Sequence, residues 1–160
     1  MMLLSELTAF CTILPEAVDK FAAFGEIVRN CSVFDAVRDK HAYLESVIKR
    51  EKLQSTGIGH CVAIAHGKVP HLEQTHIALG ISPDGIVFDD IFPEPVRLVF
   101  LIASCPTKQS EYVKALASLL SWMHDEKMRT SLMRQDFSDP AVGRFLEMMK
   151  EQSFHPAEIR

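Results

Sequence analysis

The sequence has no long apolar run, and this limits where the protein can act. Its longest, Leu98 to Ala103, is far shorter than the roughly 20 residues that a membrane-spanning helix needs. The start, MMLLSELTAF, lacks the basic beginning and the long apolar stretch of a secretory signal, and Glu6 interrupts it early. We therefore expect a cytoplasmic protein with no direct membrane insertion.

Paired cysteines and an excess of positive charge are also missing. The four cysteines, Cys11, Cys31, Cys61 and Cys105, form no CxxC pair, and we expect them to be buried free thiols. The 17 lysines and arginines are outnumbered by 21 aspartates and glutamates, which gives a net charge of −4. Because proteins that bind a phosphate backbone usually carry a basic excess, we expect no nucleic-acid partner.

No Pro-, Gly- or Ser-rich linker, charge block or internal repeat divides the chain. Its 160 residues, 48% hydrophobic and 24% charged, are typical of one globular domain. A domain of this size removes roughly 70% of its unfolded surface from water, so its core needs neither a metal nor a disulfide.

Apolar patterns predict the strands. A short β-branched segment at 9–14 suits a first strand, and the continuous apolar run at 61–65 suits a central one. Residues 75–82 alternate, which predicts a half-buried strand, and the SPDG sequence that follows predicts a turn with 86–88 returning as a hairpin partner. The largely apolar run at 96–104, which includes Arg97 and Ser104, predicts a further buried strand.

Helical spacing flanks these strands on both sides. Two helices are predicted before the central strands. The first covers 16–29, and the second ends at Leu53 and has Val37, His41, Leu44 and Ile48 on one face. After Pro106 the pattern predicts three more helices. The first has a core face of Val113, Leu116, Leu120 and Met123, and the second is shorter. The last begins at Asp139 and Pro140, which suit the N-cap and the first helical position. This order predicts a single α/β domain with a mixed sheet flanked by helices on its faces.

Four of the seven histidines fall within 17 residues, but their spacing does not indicate a metal site. The intervals of six, five and five between His60, His66, His71 and His76 match neither a helical pair nor a zinc ribbon. We expect no metal. We also expect no functional role for His41, His71, His124 and His155, and leave His60 and His76 open.

His66 differs from the others in its setting. It lies at the carboxyl end of a predicted buried strand, before Gly67 and just after the glycine segment, residues 55–59, which we expect to be a tight loop. Gly67 would let a partner surface approach the imidazole. With no serine or cysteine beside it to activate, His66 suits the role of a nucleophile toward phosphorus, with Arg50 binding phosphoryl oxygens.

Each of these residues also has a structural interpretation. His66 could be a buried structural histidine, and Arg50 an exposed cation near the negative end of a helix dipole. The glycine segment matches neither a Walker A loop nor a dinucleotide fingerprint, so we expect no nucleotide cofactor.

The stretch REKLQSTGIGHCVAIAHGK, residues 50–68, resembles a known signature. Mannitol/fructose-type enzyme IIA domains of the bacterial phosphotransferase system, including the stand-alone nitrogen-regulatory form, carry a motif close to REK-x-x-STGIG-x-x-x-A-I-P-H-G. The apolar strand at 95–103, its terminal proline and the helix after it extend the resemblance over residues 5–150. The resemblance thus implies an enzyme IIA domain at 5–150, with a C-terminal tail at 151–160 and a mixed sheet covered by helices.

The resemblance also implies roles for residues. His66 would accept a phosphoryl group, through Nε2, from the carrier HPr or its nitrogen-branch relative, and a backbone carbonyl would hold its other ring nitrogen. Arg50 would lie beside it. Ser55 and Thr56 would donate hydrogen bonds to the phosphoryl group, and the backbone at Gly57 and Gly59 would line the site.

Two positions depart from the family pattern. Ala65 replaces the proline before the reactive histidine, and Tyr112 replaces the second histidine that family members often carry. A phenol can hydrogen-bond but supplies no imidazolium charge. Tyr112 therefore stays in the expected site as a supporting residue.

Three functions follow from the resemblance. The first is a regulatory enzyme IIA whose phosphorylation controls its binding to a target protein. The first interpretation depends on the sequence showing no IIB domain or membrane segment after the enzyme IIA region, so that any phosphoryl acceptor is expected to be a separate chain. The second is a fructose- or mannitol-class IIA that passes phosphate to a separately encoded IIB. The third is a catalytically silent binding module, which Tyr112 favours.

Overall fold

A computed structural model describes residues 2–15, 17–90 and 93–154. Within these residues the strands are β1 (Cys11–Ile13), β2 (Gly57–Gly59), β3 (Val62–Lys68), β4 (His76–Ile86) and β5 (Val96–Ser104). The helices are α1 (Leu4–Leu7), α2 (Lys20–Asn30), α3 (Lys40–Leu53), α4 (Gln109–Met123), α5 (Glu126–Met133) and α6 (Pro140–Phe154), and a 3-10 turn covers Ser32–Ala36.

The strands form one mixed sheet in the order β1-β4-β5-β3-β2. β1 pairs parallel with β4, and β3 pairs parallel with β5. The pairs β4–β5 and β2–β3 are antiparallel. The predicted α/β fold with a mixed sheet is confirmed.

Helices cover both faces of this sheet. On one face, a side chain at Gly80 would meet Ile27 of α2, and one at Gly67 would meet Val47 of α3. On the other face, Phe100 packs edge-to-face on Phe145 of α6, with ring centroids 6.0 Å apart. The core therefore has two apolar layers, and the central strands β4 and β5 are buried between them.

The antiparallel pairing of the sheet does not come from the predicted hairpin. Residues 82–88 do not fold back on β4: the strand continues to Ile86, which pairs with Val96 of β5 after an irregularity in register. Within that irregularity the hydroxyl of Ser82 accepts a hydrogen bond from the Gly85 amide at 3.1 Å. The predicted turn is thus an interruption inside one long strand, and residues 76–82 are buried rather than half-buried.

The apolar run at 96–104 is confirmed as a buried strand with those bounds. The helix faces were predicted less well. α4 buries Ala115, Leu119 and Met123, and leaves Val113 and Leu120, two predicted core residues, 52% and 44% exposed. α3 fully buries Tyr43, Val47 and Glu51. Of the predicted face, Val37 is buried just before the helix, Leu44 and Ile48 are half-buried against the core, and His41 is exposed.

The beginning of α6 agrees with the sequence. Asp139 accepts a hydrogen bond from the Ala141 amide at 2.9 Å, and the helix begins at Pro140. It continues to Phe154, so the predicted tail at 151–160 begins as helix, and residues 155–160 lie outside the described residues.

No helix in the described part of the chain is long and apolar enough to cross a membrane. Three of the four thiols are buried, and Cys61 is partly exposed.

Candidate functional site

His66 lies near the carboxyl end of β3, opposite Ile102 of β5. Side chains alternate along a strand, so His66 points to the face that carries α4 while Gly67 points to the face that carries α3. β2 pairs with β3 at Val62 and Ala63, and the Ile64 amide donates to the carbonyl of Thr56, just before β2, at 3.1 Å. The histidine end of β3, residues 66–68, therefore lies past this pairing, and the imidazole is half-buried there.

Gly67 allows α3 to pack closely on β3. A Cβ at this position would lie 2.7 Å from Val47 Cγ2 and 2.9 Å from Tyr43 Cε1, and would also clash with Ser46 Oγ. Ser46 fixes the same contact from the helix, since its hydroxyl accepts a hydrogen bond from the Lys68 amide at 3.1 Å. The expected role of Gly67, an opening for a partner surface, is wrong because α3 already fills that space.

Arg50 belongs to the last turn of α3. Its Nη1 donates to the carbonyl of Gln54, the residue just after the helix, at 2.9 Å. Arg50 therefore lies at the end of a helix, where its structural interpretation also expects it. A guanidinium has five N–H donors, so one such bond leaves most of them for an anion. The positive charge of Arg50 also acts on both His66 and Tyr112: it adds to the effect of burial in lowering the pKa of His66, and it opposes the rise that burial causes in the pKa of Tyr112.

Tyr112 lies in the first turns of α4 and meets His66 across 46 residues of sequence. Its hydroxyl oxygen is 3.3 Å from Nδ1 of the imidazole. The two rings are tilted by 35°, with their centroids 4.6 Å apart. The expected backbone carbonyl at Nδ1 is therefore wrong: among the described residues, the hydrogen-bond partner of this nitrogen is the Tyr112 phenol.

The surroundings of His66 favour its neutral form. Burial, together with the positive charges of Arg50 and Lys68, lowers the pKa of the imidazole below its usual 6.5. Burial raises the pKa of the Tyr112 phenol, against the opposing effect of Arg50. At pH 7 the pair thus consists of an uncharged imidazole with one ring nitrogen available as a nucleophile and an uncharged phenol.

The structure does not bring all of the glycine segment to His66. Part of this segment is the short strand β2 rather than a loop, with Gly57 opposite Ala63 and Gly59 opposite Val62. Gly57 thus pairs three residues before His66, about 10 Å along the strand. Ser55, Gly57 and Gly59 line a cleft of about 530 Å³, and His66 is not among the residues that line it. The Ser55 hydroxyl accepts a hydrogen bond from the Gly57 amide at 3.2 Å.

Thr56 is committed to a buried carboxylate that the sequence analysis missed. Its hydroxyl donates to Glu51 Oε1, and its amide donates to Glu51 Oε2 at 3.1 Å. Lys20 of α2 pairs with the same carboxylate at 3.0 Å and also donates to the carbonyl of Phe88 at 2.8 Å. The expected role of Thr56, a hydrogen bond donated to the phosphoryl group, is therefore not supported, because both its hydroxyl and its amide donate to Glu51.

A sequence signal for Glu51 existed. Tyr43, Val47 and Glu51 follow one another at intervals of four, so the carboxylate lies on the buried face of α3. Buried carboxylates are almost always paired. A charged residue in register with an apolar face therefore predicts a partner elsewhere in the chain.

The other described histidines have different surroundings from His66. His60 is exposed, has a positive φ of 55° and lines the 530 Å³ cleft. His76 is buried on β4, opposite Ala103. His41, His71 and His124 are exposed, and His155 lies outside the described residues. Within the described part of the chain, no three His, Cys, Asp or Glu side chains are placed to hold a metal ion.

Comparison with known proteins identifies the family. Residues 7–143 match the family model described as "Phosphoenolpyruvate-dependent sugar phosphotransferase system, EIIA 2". The chain belongs to this family. It is a phosphotransferase enzyme IIA domain, similar to both regulatory and sugar-specific members, and phosphorylation on a histidine is general in that family.

Two relatives of this enzyme IIA illustrate the two kinds. The chain is 30% identical over 127 residues, 79% of its length, to the fructose-specific EIIABC component of Bacillus subtilis. It is 33% identical over 95 residues, 59% of its length, to the nitrogen regulatory protein of Bradyrhizobium diazoefficiens. These matches cover 20% of the first relative and 62% of the second, so the chain corresponds to only part of each.

A solved structure supports the same assignment. The nitrogen regulatory protein IIA-Ntr from Neisseria meningitidis superposes with a TM-score of 0.65 and 26% identity, over 79% of this chain and 86% of that one. The fold of this enzyme IIA is therefore that of the nitrogen-regulatory proteins.

Proposed function

We propose that this enzyme IIA accepts a phosphoryl group on Nε2 of His66 from phosphorylated HPr or its nitrogen-branch relative in the cytoplasm. The observation that carries the proposal is the setting of His66. Burial and two nearby cations lower the pKa of its imidazole, which favours the neutral form; it lies in the part of β3 past the pairing with β2, and its Nδ1 is 3.3 Å from the Tyr112 hydroxyl. Nε2 is then the ring nitrogen left for an incoming donor.

The chemistry needs little beyond alignment and charge balance. A phosphoryl group that moves between two histidines exchanges one N–P bond for another, so the transfer is close to thermoneutral. The protein must then place donor, phosphorus and acceptor in line and offset the phosphoryl charge. Arg50 and Lys68, the two cations that lower the pKa of His66, are suited to that second task.

We propose that phosphorylation regulates binding to a target protein. Similarity to the nitrogen regulatory protein of Bradyrhizobium diazoefficiens and to the Neisseria protein favours this role. A second candidate is transfer of the phosphoryl group to a separate IIB during sugar uptake, and similarity to the fructose-specific component of Bacillus subtilis favours it. The two differ in the acceptor: a IIB thiol would discharge the phosphorylated protein, whereas a regulatory target would bind one phosphorylation state and leave it intact.

The proposal is tested by incubation with phosphoenolpyruvate, enzyme I and HPr, or with the nitrogen-branch carrier, followed by intact-mass measurement. The wild type should gain one phosphoryl group and His66→Ala none. His60→Ala and His76→Ala serve as matched controls and should still gain one. A wild type that stays unmodified with both carriers, each shown to be competent, would contradict the proposal and support the silent-module alternative.

A further inference from the structure

In the hydrogen bond between Tyr112 and His66, either residue can be the donor. The Tyr112 oxygen and Nδ1 are 3.3 Å apart, and a phenol can donate or accept a hydrogen bond. A neutral imidazole carries its proton on one nitrogen and a lone pair on the other. The direction of this hydrogen bond therefore determines which nitrogen can attack phosphorus.

The two directions have opposite consequences. If the phenol donated to Nδ1, the ring proton would be on Nε2, and neither nitrogen would offer an open lone pair. If Nδ1–H donates to the phenol oxygen, the Nε2 lone pair is open. A histidine imidazole in water prefers the form with the proton on Nε2, so an acceptor at Nδ1 is needed to reverse that preference.

We propose that Tyr112 is a positioning residue: its oxygen accepts the Nδ1–H of His66, which makes Nε2 the nucleophile and keeps Nδ1 out of reach. This inference rests on the proposed function of His66 as the phosphoryl acceptor. The tyrosine ring, 4.6 Å from the imidazole, also covers part of its face. A phenol at the position of the family's second histidine thus orients the reactive imidazole without a charge of its own.

The transfer then balances without a further reactant. The Nε2 lone pair forms the new N–P bond while the bond between phosphorus and the donor's imidazole nitrogen breaks, and that electron pair remains on the donor. The proton of Nδ1 stays in place. Because the His66 ring gains positive charge as the N–P bond forms, the hydrogen bond from Nδ1–H to the Tyr112 oxygen strengthens during transfer.

The groups that face this pair favour an uncharged imidazole. Arg50 from α3 and Lys68 from β3 are the charged groups that act on His66, and both are positive. They oppose an imidazolium, in which both nitrogens would be protonated and no lone pair would be left. Tyr112 can therefore act on a neutral ring, where a single acceptor is enough to select the tautomer.

The test reads the tautomer directly and needs no phosphoryl donor. The full chain, labelled with 15N on histidine, is examined by NMR at neutral pH as wild type, Tyr112→Phe and Tyr43→Phe. Tyr43→Phe is a matched control. It also removes one phenol oxygen near His66, because the Tyr43 hydroxyl donates to the carbonyl of Ile102, the strand partner of His66, but Tyr43 lies on the opposite face of the sheet. We expect the proton of His66 on Nδ1 in the wild type and in Tyr43→Phe, and largely on Nε2 in Tyr112→Phe.

A second arm follows the adduct. With phosphorylated HPr as the donor, we expect Tyr112→Phe to be phosphorylated about tenfold more slowly, the loss expected for one hydrogen bond, and part of its adduct to form on Nδ1. Tyr43→Phe should keep the wild-type rate per folded molecule. A wild-type tautomer with the proton on Nε2, or a Tyr112→Phe variant with unchanged tautomer, would overturn the inference. Failure of the proposed function is a separate result, since it shows as a wild type that takes up no phosphoryl group.

Discussion

The two ends of β3 contain parts of the same signature but differ in what holds them. At the amino end, β2 pairs with Val62 and Ala63, and the buried carboxylate of Glu51 ties the segment to α3 through Thr56. At the histidine end, His66 meets a half-buried phenol and positive charges. A motif that is continuous in sequence therefore divides into a structural part and a chemical part.

Neighbouring residues of α3 show the same division. Arg50 acts electrostatically on His66, whereas Glu51 faces the interior and is 2% exposed. Consecutive residues of a helix point about 100° apart, so one turn can serve two regions. Variants at these two positions should therefore separate stability from reactivity.

The largest effect is expected for Glu51→Ala, on stability. It leaves the Thr56 amide and hydroxyl and the Lys20 ammonium without their shared partner, which should lower the free energy of unfolding by about 3 kcal/mol. Denaturant unfolding measures this loss, and Glu45→Ala, an exposed carboxylate of the same helix, is the control. Per folded molecule, the rate of phosphorylation should not change. A large fall in that rate would show that Glu51 contributes to phosphoryl transfer as well as to stability.

Arg50→Ala should have the converse effect. Loss of a charge that stabilises the transferring phosphoryl group should slow phosphorylation by about 10²-fold, while the lost bond to Gln54 costs only about 1 kcal/mol of stability. Arg50→Lys should recover part of the rate, because an ammonium cannot make two parallel bonds. Quenched-flow transfer from purified phosphorylated HPr gives the rates, with Lys49→Ala as a neighbouring-cation control. Equal rates in Arg50→Ala and the wild type would reduce Arg50 to its helix-end role.

The smallest effect is expected in the pH dependence of His66. Its lowered pKa keeps the imidazole neutral below the usual 6.5, so NMR titration should give a midpoint below that value. Removal of either cation, in Arg50→Ala or Lys68→Ala, should raise the midpoint, because the positive charge no longer opposes protonation. The acid limit of phosphoryl acceptance should move to higher pH in the same variants. A midpoint that is insensitive to both changes would mean that burial alone lowers the pKa.

Parts of the fold that local patterns determine were predictable. The segment at 96–104 is short, nearly all apolar and rich in β-branched and aromatic residues, which favours a buried strand over a buried helix. Likewise, Asp139 before Pro140 predicts the beginning of α6 without knowledge of the rest of the chain.

Other parts depend on partners distant in sequence. The SPDG sequence has turn chemistry, yet pairing with β5 keeps β4 continuous to Ile86. Apolar residues occur on two sides of α4, and only packing on the sheet determines that Leu119 rather than Leu120 is buried.

The site shows the same limit. His66 and the neighbouring residues of its motif can be identified from the sequence, because they form a continuous signature. The contact with Tyr112 joins residues 46 positions apart, so no local spacing predicts it. The link between Thr56 and Glu51 is local, but it was missed because the predicted core face of α3 did not include the row of Tyr43, Val47 and Glu51.

The most direct test of this account is the position of the phosphoryl group on the wild-type protein. After phosphorylation by the carrier, NMR of the 15N-labelled chain, kept at alkaline pH where a phosphoramidate is stable, can assign the N–P bond to one nitrogen of one histidine. We predict Nε2 of His66. A phosphoryl group on His60, in the turn between β2 and the amino end of β3, would contradict the division between the two ends of β3.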